Sequence, residues 1–93
     1  MRHFIIVKFN DEIDKEKEVE PIRNLFNESL EFEGVNKVDI HLSNSDLPNR
    51  FDLMIEMELT PDGLKIYNDS EMHKNWKSKY GEYIVSKTIF DCE

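Results

Sequence analysis

Three side chains carry the strongest prospects for chemistry: His3, Tyr67 and His73. Imidazoles titrate near neutral pH, and two of them beside a phenol form a group able to take and return protons around a polarised carbonyl. His73 keeps helical step with Met72, Trp76 and Tyr80, which puts it on a face turned toward a sheet. His3 alternates in register with Ile5, Val7 and Phe9 on one face of a strand. If that face looks at the helices, the two histidines and Tyr67 line one cavity, with Ile5, Val7, Trp76 and Tyr80 as its ligand-binding apolar walls. A buried imidazole needs a partner for each nitrogen. The same pattern therefore also fits two core histidines tied to backbone carbonyls and a tyrosine whose hydroxyl reaches the surface.

Other reactive residues are less constrained. His41 with Asp39, and Glu56 with Glu58, are i,i+2 pairs on polar strand faces. Imidazole and carboxylate together suit a divalent metal, but cross-strand charge pairing with Lys37 accounts for them as well, and neither metal nor cofactor is expected. Lys74, Lys77 and Lys79 make a small basic patch that either attracts an anion or is simply a solvated helix face. Cys92 is the only cysteine, so no intrachain disulfide and no cysteine metal cluster can form, and a reducing, cytoplasmic setting is expected.

The elements that must position these residues follow from hydropathy patterning. The stretch after Met1 reads as a strand apolar on both faces, with Phe4 and Ile6 opposite His3, Ile5, Val7 and Phe9. It is too short for a signal-peptide core, and no small-residue cleavage site follows it. From Val19 the period becomes helical: Val19, Ile22, Leu25, Phe26 and Leu30 share one stripe. Pro21 either opens this helix or kinks one begun near Asp14; the pattern favours a helix from about Pro21 to Phe32, ended by Gly34. Val35 to Leu42 and Phe51 to Leu59 alternate as strands, separated by a loop rich in Ser, Asn, Asp and Pro. Thr60-Pro61-Asp62 starts a short helix to about Asn68, and Ser70 starts another. Tyr83 to Asp91 closes as a strand apolar on both faces at Ile84, Val85, Ile89 and Phe90.

Residues 1–93 make one domain with 12 basic and 20 acidic residues, a net charge of −8. That charge disfavours nucleic acid and anionic membrane as partners. The order β-α-β-β-α-β is the ferredoxin-like α+β arrangement with an antiparallel sheet. Helices cover one face of such a sheet, yet the terminal strands are apolar on both. A second copy of the same sheet is the simplest cover, which predicts a face-to-face homodimer.

Arg2 to Phe9 resembles the opening strand of the stress-responsive A/B barrel (Dabb) family, and Phe51-Asp52-Leu53-Met54-Ile55-Glu56 its third strand. Leu64 through Tyr67, His73 and Trp76 to Ile89-Phe90-Asp91 is similar to its final helix and strand. The resemblance implies a dimeric α+β barrel. It also implies, by likeness to the plant polyketide cyclases of that family, that His73, Tyr67 and His3 form an acid–base site for aldol closure. The family's frequent His-Pro is replaced here by Ser70-Glu71, and Trp76 stands where phenylalanine is usual. Two further roles come with the family and its superfamily: a non-catalytic, stress-associated protein-interaction dimer, and a haem- or quinol-type monooxygenase.

Overall fold

A computed structural model describes all residues, Met1 to Glu93. The elements are β1 (Arg2–Phe9), α1 (Lys15–Asn27), β2 (Val35–Leu42), β3 (Leu53–Leu59), α2 (Pro61–Asp69), α3 (Glu71–Tyr80) and β4 (Ile84–Cys92). Short 3₁₀ segments, Glu28–Glu31 and Gly81–Tyr83, follow α1 and α3. The four strands form one sheet in the order β2-β3-β1-β4, and every neighbouring pair is antiparallel. This is the ferredoxin-like α+β fold expected from the element order, with its second helix divided into α2 and α3.

Strand alternation sorts the sheet into two unlike faces. His3, Ile5, Val7 and Phe9 turn toward the helices together with Leu53, Ile55, Met57 and Leu59 of β3, and all are buried. Ile22 and Phe26 of α1, Tyr67 of α2, and Met72, Trp76 and Tyr80 of α3 close over them. The opposite face carries Phe4, Ile6 and Met54, which are half-buried, and Phe90, which is exposed. Phe4 pairs with Phe90 across the β1–β4 ladder, with ring centroids 6.2 Å apart.

Helix α1 differs from the sequence expectation. It begins at Lys15 rather than near Pro21, because the Asp14 carboxylate caps it by accepting from the Glu16 and Lys17 amides. Glu16 and Glu18 sit in the first turn, where the helix dipole favours them. Pro21, inside the helix, forfeits one intrahelical bond, while Ile22 and Phe26 on the same helix become fully buried. Leu30 also departs from its expected place in the stripe. The 3₁₀ turn tightens the chain and rotates it outward, and the buried position goes to Ser29, whose hydroxyl donates to the Phe26 carbonyl at 2.6 Å. Strand β4 is an edge strand, and its Val85, Ile89 and Phe90 stand exposed on the protomer instead of buried on both faces.

One close approach fixes α2. Gly34 has φ of 85°, a left-handed conformation that favours glycine. A Cβ there would lie 2.4 Å from Thr60 Oγ1 and 2.9 Å from the Gly63 Cα. The entry to β2 thus packs directly on the first turn of α2, where the Thr60 hydroxyl accepts from the Gly63 amide at 3.0 Å. Tyr67 stands one turn further along this anchored helix.

Candidate functional site

The break between α2 and α3 places the site's two helical residues. Ser70 adopts an extended conformation that stops α2 and caps α3. Its hydroxyl donates to the Tyr67 carbonyl at 2.7 Å and accepts from the His73 amide at 3.1 Å. A single side chain therefore fixes the backbone of Tyr67 relative to that of His73. The rings follow, with centroids 4.8 Å apart. From the sheet, His3 meets Tyr67 edge-on at 6.0 Å.

These three residues share an open cavity of about 350 Å³ bounded by β1, β4, α2 and α3. That size lies within the range of small-molecule sites. Ile5 and Trp76 form part of its lining, as the sequence suggests. Val7 and Tyr80 do not reach it. Val7 is fully buried further along β1 beside Leu53 and Lys87, and Tyr80 lies beyond Trp76, packed on that ring at 5.3 Å. The Tyr80 hydroxyl instead donates to Glu18 Oε2 of α1 at 2.9 Å. The structure therefore does not bring these two residues to the cavity with the others.

Both imidazoles are oriented through Nδ1. His73 Nδ1 lies 3.1 Å from the Asn68 carbonyl. A carbonyl only accepts, so Nδ1 carries the proton and the neutral ring presents Nε2 as a lone pair. Burial, reinforced by Lys77 and only partly opposed by the Asn68 bond, holds the His73 pKa below its usual value. Lys87 and His3 push in the same direction. Neutral His73 is the form suited to accepting a proton. His3 Nδ1 lies 2.5 Å from Asp91 Oδ1, so the ring donates to a carboxylate on β4, and its Nε2 has no protein partner.

Tyr67 completes the group. Its hydroxyl is buried and makes no hydrogen bond, the sole such side-chain atom in the chain. Burial raises the phenol's pKa, so it stays a protonated donor. Buried polar atoms almost always find a partner, so this one is conspicuous. The residues lining the cavity thus include a neutral histidine with an unprotonated Nε2, a phenol without a partner, and a His–Asp pair.

Sequence reasoning missed Asp91, Asn68, Lys77 and Lys87 as cavity-lining residues. Antiparallel pairing of β4 with β1 sets Asp91 opposite His3. Only the strand register contains that information. Lys77 falls one turn after His73, a spacing visible in the sequence.

The other candidate residues gather elsewhere. Asp39, His41 and Glu56 converge on the open face of β2 and β3, with ligand atoms within 4.8 Å of one another. His41 Nε2 lies 3.2 Å from Glu56 Oε1, and Lys37 reaches Asp39 at 3.4 Å. The His41–Glu56 contact crosses from β2 to β3, whereas Lys37 and Asp39 pair along β2 itself. Glu58 lies beyond this cluster on the same face. A larger hollow, about 460 Å³, lies between β1, α1 and the β2–β3 loop. Several of its polar groups are committed: Lys15 binds Asp46 and Asp52, and Asp52 also accepts from the Phe9 amide at 2.8 Å.

The architecture is thus a ferredoxin-like α+β protomer with an aromatic- and imidazole-lined cavity between its sheet and last two helices. No family model matches the chain, and no curated protein does. Solved structures do share the fold. A dimeric ferredoxin-like protein of unknown function from Thermobifida fusca is 14% identical, with 96% of this chain and 85% of that one covered, at a TM-score of 0.79. A dabb family protein with a ferredoxin-like fold from Mesorhizobium loti is also 14% identical, with 99% and 93% covered, at 0.71. A hydroxynitrile lyase from Passiflora edulis is 8% identical, with 96% and 87% covered, at 0.74. The Dabb resemblance is therefore met at the level of the fold.

Proposed function

We propose that this protein is a Dabb-like homodimer, working in the cytoplasm in a stress-linked role, whose cavity binds or acts on a small aromatic or carbonyl compound. The unpartnered Tyr67 hydroxyl carries this reading. Leaving a buried hydroxyl unpaired costs about 1–3 kcal/mol, a cost that a ligand's carbonyl oxygen would relieve. With a carbonyl held there, His73 Nε2 is the base for an adjacent C–H proton, and Tyr67 stabilises the enolate oxygen that receives the electron pair. His3, oriented by Asp91, is the second proton-transfer group.

Homodimerisation is supported by the open sheet face. Phe4, Ile6, Met54 and Phe90 form an apolar strip that no helix covers. The dimeric state named for the Thermobifida fusca neighbour is consistent with this. Sedimentation at micromolar concentration is expected to give twice the 11.1 kDa chain mass, and a monomer would contradict the reading. A thermal-shift panel of aromatic aldehydes, ketones and acids tests the cavity. Stabilisation is expected for the native protein and for Tyr80→Phe, and its persistence unchanged in both His73→Ala and Tyr67→Phe would refute the assignment.

A further inference from the structure

The cavity has a charged side in a protein whose overall charge is opposite. Lys77 from α3 and Lys87 from β4 both line it, although the chain carries −8. They converge on one opening from different elements. Lys77 sits four residues after His73 on the helix, and Lys87 lies opposite Val7 on the helix-facing side of the sheet. That side is otherwise mostly apolar, so strand alternation alone aims the Lys87 stem at the cavity. Neither ammonium group has a carboxylate within ion-pairing distance, in contrast to Lys15, Lys37 and Lys74. The remaining charged groups facing the cavity are His3, His73 and Asp91. Asp91 is already engaged by His3.

We infer that the cavity selects a carboxylate-bearing ligand, with Lys77 and Lys87 holding the anion at the opening and the apolar body lying against Trp76 and Ile89. The inference rests on the reading of the cavity as a ligand site and specifies the class of molecule it takes. Two independent features agree with it. The fields of both lysines reach the His73 imidazole, where they oppose its protonation. The buried, unpaired Tyr67 hydroxyl supplies a neutral donor for an oxygen deeper inside. A carboxylate at the opening would offset the two cations, so binding should also raise the His73 pKa, whereas a neutral ligand should not.

The test compares 3-phenylpropionate with 3-phenylpropionamide, which share a shape and differ in charge. Trp76 is the only tryptophan, so its fluorescence reports from the cavity itself. Imidazole NMR of His73 gives the second readout. The acid is expected to bind roughly tenfold more tightly than the amide at low salt, given two partly screened cations, with the difference shrinking as salt is added. Lys77→Gln with Lys87→Gln should erase that preference and leave amide binding intact. Lys17→Gln with Lys37→Gln, which changes net charge equally but away from the cavity, should preserve it. Equal binding of acid and amide to the native protein would overturn the carboxylate inference while leaving the cavity as a ligand site. Retention of the preference in the Lys77/Lys87 variant would overturn it too. If neither compound perturbs Trp76 or His73 at saturating concentration, the ligand-site reading itself fails.

Discussion

Tyr67 and Tyr80 are a natural comparison. Both are almost wholly buried, both belong to one aromatic tier running over the sheet, and both phenols have raised pKa values. Tyr80 stacks on Trp76, which meets Phe26 edge-on at 5.0 Å; Phe26 in turn neighbours Tyr67. Their hydroxyls differ. Burial shifts Tyr80, and its bond to Glu18 adds to the shift, whereas Tyr67 is shifted by burial alone. One hydroxyl ties α3 to α1; the other belongs to a cavity-lining residue and is buried without a partner. The contrast separates a satisfied buried phenol from an unsatisfied one.

The largest perturbation should strike the ring that connects the two. Trp76→Ala is expected to cost about 3–5 kcal/mol in chemical denaturation, because it removes a buried ring packed against both Phe26 and Tyr80. A cost below ~1 kcal/mol would mean the tier is not continuous. Tyr80→Phe should cost about 1 kcal/mol, and most of that should vanish in a Glu18→Gln background, where a double-mutant cycle isolates the pair. Tyr67→Phe should be nearly neutral or slightly stabilising without ligand, since it deletes a polar atom that has no partner. A loss equal to that of Tyr80→Phe would collapse the distinction.

The smallest effects are those of pH. The His73 pKa is depressed in the fold, so its contribution to stability is fully present above the unfolded value near ~6.5 and is lost as pH falls toward the folded value. Denaturation of His73→Gln should therefore show a shallower acid limb than the native protein. The tyrosines act in the opposite sense. Their raised values give stability that is complete below about pH 10 and is lost above it. Absorbance at alkaline pH should show two of the three phenols ionising late, with Tyr67→Phe leaving one late phenol.

The strands and the second helical region were legible because alternation and capping are local. Phe51 to Leu59 fixes its own faces, and Thr60 and Ser70 announce helix starts through their hydroxyls. The start of helix α1 is less legible, because proline's local penalty argues against a helix there while the cap at Asp14 and the burial of Ile22 and Phe26 outweigh it. At the site, helical spacing brought His73 and Trp76 to one face, and strand parity brought His3 and Ile5 to another. Parity does not show how far the cavity extends along β1, so it puts Val7 on the same footing as Ile5 although only Ile5 lines the cavity. The same limit applies to Tyr80, whose position on the stripe is right but whose hydroxyl meets Glu18 on a helix distant in sequence. Asp91 and Lys87 depend on the β1–β4 register, a long-range property.

The most direct measurement follows the His73 imidazole nitrogens by NMR while acetophenone, a neutral aromatic ketone, is titrated into native protein and into Tyr67→Phe. A ketone oxygen reaching the unpaired phenol should shift His73 in the native protein, and removing that hydroxyl should weaken binding about five- to tenfold, the scale of one hydrogen bond. Unmoved imidazole signals at saturation, or identical affinity with and without the Tyr67 hydroxyl, would contradict the account.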